Sequence, residues 1–235
     1  MEIAKYDLIK INHEEAWKYF ISVYNAVESM RAYRHIINEC LNKKRDNFDR
    51  ILNGELEIPD SEKKTFPPGN LVRIDGINMS ISFLVSQFVH NFFQASRNCF
   101  DYMAQIIAVF FCGDLNLKNV DMSKVIKKLD YIKNEDVKQL LNNVSSSEIY
   151  QYLCDYNNTV KHNYDMGLLF SVKADTLEPI GKIPAFEKDL KDTTHSYPVK
   201  DIVEQMKIVH QYTNDTFGEL IGLIWPEKTK EIDED

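Results

Sequence analysis

Glycine and proline are both scarce in this 235-residue chain, with 8 and 7 copies. A β-sandwich or β-barrel needs many tight turns, which these residues supply, so their scarcity argues against both folds. The rest of the composition, 44% hydrophobic and 27% charged, is that of a globular protein that can bury a core of ordinary size. Long segments with few breaks therefore favour an all-α fold.

Positive charge is also in short supply, because the formal net charge is −8. Attraction to nucleic acid or to an anionic membrane depends on clustered lysine and arginine, so we expect no DNA partner and no membrane partner. The basic residues at 43–45 and at 124–128 are interpreted as solvated helix faces.

The four cysteines have no closely paired spacing, which argues against a structural zinc site. We expect buried free thiols in a reducing cytosol. The N-terminus lacks an apolar signal core. The most apolar stretch, ISFLVSQFVHNFFQASRNCFDYMAQIIAVFF, is interrupted by His90, Arg97 and Asp101, so it is not a membrane span. A cytoplasmic protein without a cofactor is expected.

Hydrophobic spacing predicts two long helices. The first runs from a capping box at Asn12 to Gly54, and the second from about Asn78 to Cys112. Residues 55–76, with three prolines, are predicted to form a long loop.

Later in the chain, short helices are predicted to open at Asp121, at Asn134 and at a serine before Glu148. Residues 168–197 are predicted to be a β-hairpin or irregular excursion, 199–224 a last helix, and 227–235 a frayed tail. The fold class is thus an all-α, up-and-down bundle of about four to six helices, forming a single domain over 1–235.

Polar residues recur at helical spacing along the apolar second helix, at Ser86, His90, Gln94, Arg97, Asp101 and Gln105. Arg97 and Asp101 are four residues apart and can pair directly. One interpretation is a solvent-facing side or a satisfied network against the loop at 55–76. The other is a functional cleft or subunit interface lined by His90, Arg97 and Asp101.

The segment CDYNNTVKHN, at 154–163, combines two faces of a helix. Ile149, Leu153, Tyr156 and Val160 form an apolar stripe at steps of three and four. Asp155, Asn158 and His162 share a similar spacing and are predicted to project from the opposite side, while Asn157 and Lys161 lie on a flank. A histidine among such groups can act as a general base or be an idle surface residue.

The segment DYNNTVKHNY resembles the terminal-helix signature of HEPN-type proteins, which are compact helical bundles that include many ribonucleases of toxin–antitoxin and antiviral systems. Their motif is an arginine, a polar residue and then a histidine. Asn157 matches the polar residue and His162 the histidine. The helix HNFFQASRNCFDYMAQII resembles an upstream helix of related proteins at His90, Asn91, Arg97, Phe100, Asp101 and Tyr102.

This resemblance implies a stress or phage-defence protein that acts as a homodimer on RNA or on a protein partner. As a metal-independent ribonuclease, it would use His162 as acid and base, Arg97 as charge stabiliser and Asn157 as orienting group. Its binding residues would be His90, Asp101, Asp155, Asn158 and Lys161. The chain departs from the motif at Tyr156, which stands in place of the arginine and carries no permanent charge.

Two alternatives stay open. One is a non-catalytic helical module that uses the same polar surface for dimerisation or for a protein partner. The other is a metal-binding bundle in which His90, Asp101, His162 and Asp165 meet between helices.

Overall fold

The computed structural model describes residues 14–55, 70–112, 120–162, 166–172, 179–189 and 192–226. Most of these residues are helical. The α-helices are α1 (Glu14–Leu52), α2 (Ile81–Phe111), α3 (Met122–Ile126), α4 (Glu135–Ser146), α5 (Glu148–His162) and α6 (Ile202–Ile224), with a 3-10 turn at Leu129–Tyr131. The strands are β1 (Leu71–Ile74), β2 (Ile77–Ser80), β3 (Leu169–Val172), β4 (Pro179–Ile183), β5 (Phe186–Asp189), β6 (Asp192–Tyr197) and β7 (Lys200–Asp201). The prediction of a mostly helical fold with a β excursion is confirmed.

Helix α1 exists because its apolar residues fall on one face. Phe20, Val23 and Met30 are buried on this face, as the spacing predicted. The helix ends near Gly54 as expected, because Gly54 takes a left-handed φ of 71° and Glu55 N–H donates back to the Arg50 carbonyl at 2.8 Å. The capping box predicted at Asn12 lies outside the described residues.

Helix α2 begins at Ile81, later than predicted, because a β-hairpin precedes it. Strands β1 and β2 are antiparallel, and Asp75 and Gly76 at their turn have φ values of 49° and 81°. Two successive left-handed residues make the tight hairpin turn that an Asp-Gly pair favours. The predicted loop at 55–76 is therefore wrong for Leu71–Ile74, and 56–69 lie outside the described residues.

The predicted starts of the short helices are confirmed. Asp121 accepts a hydrogen bond from Lys124 N–H at α3, and Asn134 accepts one from Val137 N–H at α4. At α5, the Ser147 carbonyl accepts from Gln151 N–H at 3.0 Å.

The segment from 168 to 197 contains four of the strands. Strand β4 pairs antiparallel with β3 and with β7, and β5 pairs antiparallel with β6. These small sheets precede α6, so the β excursion lies where it was predicted. The tail predicted at 227–235 lies outside the described residues.

Backbone contacts divide the chain into two compact units. Unit 1 comprises Met1–Met30, Gln94–Cys154 and Ile208–Asp235, and unit 2 comprises Arg31–Phe93 and Asp155–Lys207. Within the described residues, unit 1 is helical and all the strands belong to unit 2. Whether the chain is a single domain stays a prediction.

The two units have different cores. The core of unit 1 is built from helix faces, with Phe100, Leu141 and Leu153 among its buried residues. The core of unit 2 also includes side chains from its sheet region, such as Ile183 and Phe186, beside the helical Phe93 and Tyr156. Its polar groups therefore have strands as well as helices available as partners.

Candidate functional site

The polar row on α2 is half-buried, except for Gln94, which is exposed. Each of its members has a hydrogen-bond partner. Ser86 and Gln94 bond within α2, at Ser82 and Asn98, while Gln105 donates to the Val120 carbonyl at 3.3 Å. His90, Arg97 and Asp101 bond to groups outside α2.

The partners of the row outside α2 that the structure describes come from α5 and from residues 120–122. The interpretation of a satisfied network against the loop at 55–76 stays a prediction, because residues 56–69 lie outside the described part of the chain. The use of the row as a cleft or subunit interface also stays a prediction.

In unit 1, α2 and α5 together form what we call the Arg97 cluster, consisting of Arg97, Asp101, Tyr150 and Cys154. Arg97 Nη1 donates to Tyr150 Oη at 2.9 Å and also contacts Cys154 Sγ. Arg97 Nε lies 3.6 Å from Asp101 Oδ2, which confirms the pair predicted from their spacing. The Arg97 and Asp101 side chains are 20% and 28% exposed, so water reaches part of the cluster.

The charges of the Arg97 cluster follow from these contacts. Burial opposes the positive charge of Arg97, but Cys154, Tyr150 and Asp101 together raise its pKa above the ordinary value. Burial raises the pKa of the Tyr150 phenol far above its usual range. At neutral pH the guanidinium is therefore charged and the phenol is protonated, so both are hydrogen-bond donors.

Asp101 also connects the cluster to α3. Its Oδ1 accepts a hydrogen bond from Met122 N–H at 3.1 Å, at the first residue of that helix. Burial raises the pKa of the Asp101 carboxyl, although Arg97 and the Met122 N–H each favour the charged form. Asp101 therefore has a structural role at the start of α3 as well as its pairing with Arg97.

In unit 2, α2 and α5 form what we call the Tyr156 cluster, consisting of His90, Phe93, Tyr156, Asn157 and Phe186. Tyr156 is 0% exposed, and its hydroxyl lies 2.7 Å from His90 Nδ1. Its ring packs on Phe93, at 4.3 Å between centroids, and meets Phe186 edge-on at 5.9 Å. The position that the HEPN motif gives to arginine is thus occupied by a core aromatic residue.

Asn157 belongs to the same cluster through its amide. Its Nδ2 donates to the Phe93 carbonyl at 3.0 Å, which attaches α5 to α2. The proposed orienting group therefore makes a hydrogen bond to the backbone of its own chain.

Asp155 differs from its predicted placement. It was expected to project away from the core with Asn158, but it is only 4% exposed. Tyr197 donates to Asp155 Oδ2 at 2.8 Å, and Lys188 Nζ lies 3.8 Å from Oδ1. The β5–β6 hairpin supplies both partners, so it covers a carboxylate that the periodicity of α5 alone would leave in water.

The remaining predicted site residues are placed only in part. Asn158 and Lys161 are exposed on α5. His162 is the last residue of α5, and its side chain lies outside the described part of the chain. Arg97 belongs to unit 1, whereas Asn157 and His162 belong to unit 2. The convergence of Arg97 with His162 stays a prediction.

Metal binding was the other alternative. Within the described ranges, no three His, Cys, Asp or Glu side chains are grouped so that they could hold a metal ion. Asp165 and the side chain of His162 lie outside those ranges, so the four-residue site proposed from the sequence stays a prediction. No described helix is long and apolar enough to cross a membrane.

Two members of the Arg97 cluster, Tyr150 and Cys154, were missed as candidates. The signal was present, because they are four residues apart on α5 and so share a helix face, as Arg97 and Asp101 do on α2. Two such pairs on facing helices can interdigitate, but a single sequence does not reveal which helices face one another.

Comparison with protein-family models found no match, and neither did comparison with curated proteins or with solved structures. The likeness to HEPN-type proteins therefore depends on the two quoted sequence segments alone and stays a prediction.

Proposed function

We propose that this chain is a HEPN-like helical protein that does not cleave RNA and that works by self-association, as the homodimer that the resemblance implies. The proposal includes an up-and-down order of the helices. Of the functions considered from the sequence, it favours the non-catalytic helical module over the ribonuclease that a complete motif would imply.

The main support is the burial of Tyr156. A HEPN-type ribonuclease needs a permanent positive charge near the scissile phosphate, where it offsets negative charge that develops in the transition state. A neutral phenol cannot provide that charge, and a side chain that is 0% exposed cannot reach a substrate.

The engagement of the other candidates supports the same conclusion. Asn157 donates to the Phe93 carbonyl, and the Arg97 guanidinium contacts Tyr150, Cys154 and Asp101. A guanidinium with these partners has fewer free donors for a phosphate. The net charge of −8 would also repel an RNA backbone.

The absence of cleavage is tested with purified protein and mixed RNAs, comparing the wild-type chain with His162→Ala. Asn143→Ala is the control, because Asn143 is exposed on α4 and belongs to no proposed site. We expect no cleavage by any of the three. Cleavage by the wild type and by Asn143→Ala that is lost in His162→Ala would overturn the proposal in favour of the ribonuclease.

Self-association is tested by light scattering coupled to gel filtration, over a wide range of protein concentration. We expect a dimer whose mass is twice the 27.5 kDa of one chain. A monomer at every concentration would overturn the proposal.

A further inference from the structure

The four cysteines have unlike surroundings. Cys99 is buried, and burial raises its pKa to about 12. Burial also raises the pKa values of Cys40 and Cys112 above the ordinary thiol value. Cys154 is half-buried, and its Sγ contacts the Arg97 guanidinium. The expectation of buried thiols is therefore confirmed only for Cys99, because Cys40, Cys112 and Cys154 are half-buried.

We propose that Cys154 is a reactive thiolate and a site of covalent modification by hydrogen peroxide and other soft electrophiles. This inference goes beyond the proposed self-association and does not rest on it. It rests on the geometry of the Arg97 cluster, which places a charged donor against the sulfur.

The donors around Cys154 favour the charged form of the sulfur. Arg97 Nη1 lies against Sγ, and the same nitrogen donates to the hydroxyl of Tyr150, one helical turn before Cys154. A guanidinium that contacts a thiol stabilises its thiolate, which is the nucleophilic form.

Asp101 opposes this effect only in part. Its carboxylate lies 3.6 Å from Arg97 Nε, whereas the sulfur contacts Nη1, so the two anions occupy different nitrogens of one delocalised cation. Asp101 and Tyr150 are the other titratable members of the cluster, and Tyr150 remains neutral at physiological pH. Cys154 as a residue is half-buried, whereas Cys99 is fully buried.

The reaction with peroxide balances without a further reagent. The Cys154 thiolate attacks one oxygen of hydrogen peroxide, an S–O bond forms and the O–O bond breaks. The second oxygen leaves as hydroxide, which is neutralised to water by the proton that the thiol released when it ionised. Sulfur is oxidised by two electrons to the sulfenic acid, and peroxide is reduced by the same two.

The test measures alkylation of all four cysteines by iodoacetamide in the folded wild-type chain, as a function of pH, with each site followed by peptide mass spectrometry. We expect the rate at Cys154 to reach half its maximum at a lower pH than the rates at Cys40 and Cys112, because the neighbouring cation stabilises the thiolate. At neutral pH, Cys154 should react about tenfold faster than Cys112 or Cys40, which serve as internal controls of similar exposure. A midpoint for Cys154 equal to or above those of Cys40 and Cys112 would overturn the proposal.

Substitutions of Arg97 and Tyr150 separate the effect of the positive charge on Cys154 from the effect of its exposure. Arg97→Met should move the midpoint of Cys154 upward by about one pH unit or more, whereas Arg97→Lys should keep most of the effect. Tyr150→Phe tests the neighbouring phenol and leaves the cation in place, so it should shift the midpoint less than Arg97→Met. Circular dichroism confirms folding. If Arg97→Met does not fold, Arg97→Lys and Tyr150→Phe are each compared with the wild type instead. A larger shift of the Cys154 midpoint in Arg97→Lys than in Tyr150→Phe contradicts the role assigned to the cation.

The peroxide arm uses a 1,3-dione trap for sulfenic acid. We expect Cys154 to be labelled first of the four cysteines, and labelling to be lost in Cys154→Ser. Labelling that begins at Cys40 or Cys112 contradicts the proposal.

Discussion

The Tyr156 cluster and the Arg97 cluster are built from the same two helices, α2 and α5, yet they differ in chemical character. In the Tyr156 cluster a polar pair is enclosed by aromatic rings, and Tyr156 is 0% exposed. In the Arg97 cluster a cation is shared among three partners and its side chain is 20% exposed. His90 and Arg97 belong to the same polar row on α2. One of them therefore takes part in a structural hydrogen bond in unit 2, and the other is a partly accessible charged group in unit 1.

The difference follows from what packs over each polar pair. In unit 2, Phe186 of β5 covers Tyr156, and Tyr197 of β6 donates to Asp155. Unit 1 has no strand among its described residues, and the described partners of the Arg97 cluster come from helices. A polar pair that is shielded from water needs hydrogen-bond partners within the protein, whereas a polar pair that is partly exposed can still react with solutes.

The largest expected effect comes from removing the core ring of the Tyr156 cluster. Tyr156→Ala should lower the free energy of unfolding by about 3–5 kcal/mol, because it leaves a cavity beside Phe93 and Phe186. Tyr156→Phe removes the hydroxyl that lies 2.7 Å from His90 Nδ1 and should cost about 1–2 kcal/mol. Urea unfolding followed by circular dichroism measures both.

Tyr131→Ala is the matched control for Tyr156, because Tyr131 is 72% exposed. It should change the free energy of unfolding by no more than about 0.5 kcal/mol. If Tyr156→Ala were as mild as this control, the contrast between the two clusters would fail.

A smaller effect is expected at the asparagine pair on α5. Asn157→Ala should cost about 1 kcal/mol more than Asn158→Ala, because only Asn157 has a described bond that attaches α5 to the Phe93 carbonyl, while Asn158 is exposed. Both changes raise intrinsic helix propensity equally, so that contribution cancels in the comparison. Urea midpoints of the two variants provide the measurement, and equal midpoints would show that the hydrogen bond from Asn157 to the Phe93 carbonyl adds no stability.

The smallest expected effect is a pH dependence in the Arg97 cluster. The pKa of Asp101 is raised in the folded chain, so the folded state binds this proton more tightly than the unfolded state does. Its contribution to stability is therefore fully present below the ordinary carboxyl pKa and is lost as pH rises through the folded pKa. Partial exposure of the side chain keeps the effect small.

The measurement for Asp101 is the difference in unfolding free energy between wild type and Asp101→Asn, whose amide does not titrate. The unfolding free energy of the wild type relative to Asp101→Asn should decrease between acidic and neutral pH and then level off. If it increased over that range, pairing with Arg97 would outweigh burial.

Much of the helical framework was predictable from the sequence because its signals are local. Asp121 and Asn134 each cap a helix by accepting a hydrogen bond from the backbone N–H three residues later in the chain. Gly54 ends α1 through its own backbone conformation. The β1–β2 hairpin was missed although its signal was equally local, since the Asp75-Gly76 pair lies between two apolar runs.

The candidate site was less predictable, because its contacts join distant parts of the chain. The pair of Arg97 and Asp101 was foreseen from a spacing of four, but their partners Tyr150 and Cys154 were not. His90 and Tyr156 are 66 residues apart, and Asp155 and Tyr197 are 42 apart. No periodicity within one helix indicates which distant side chain meets it.

The sequence by itself determined where most helices begin and end and which of their faces are apolar, because these depend on backbone hydrogen bonds and spacing over a few residues. Only the tertiary structure decided that Tyr156 is enclosed, that Asp155 is covered by the β5–β6 hairpin, and that Arg97 lies against Cys154. Burial and charge pairing arise when segments far apart in sequence pack together, and they decide whether a polar side chain stabilises the core or remains open to chemistry.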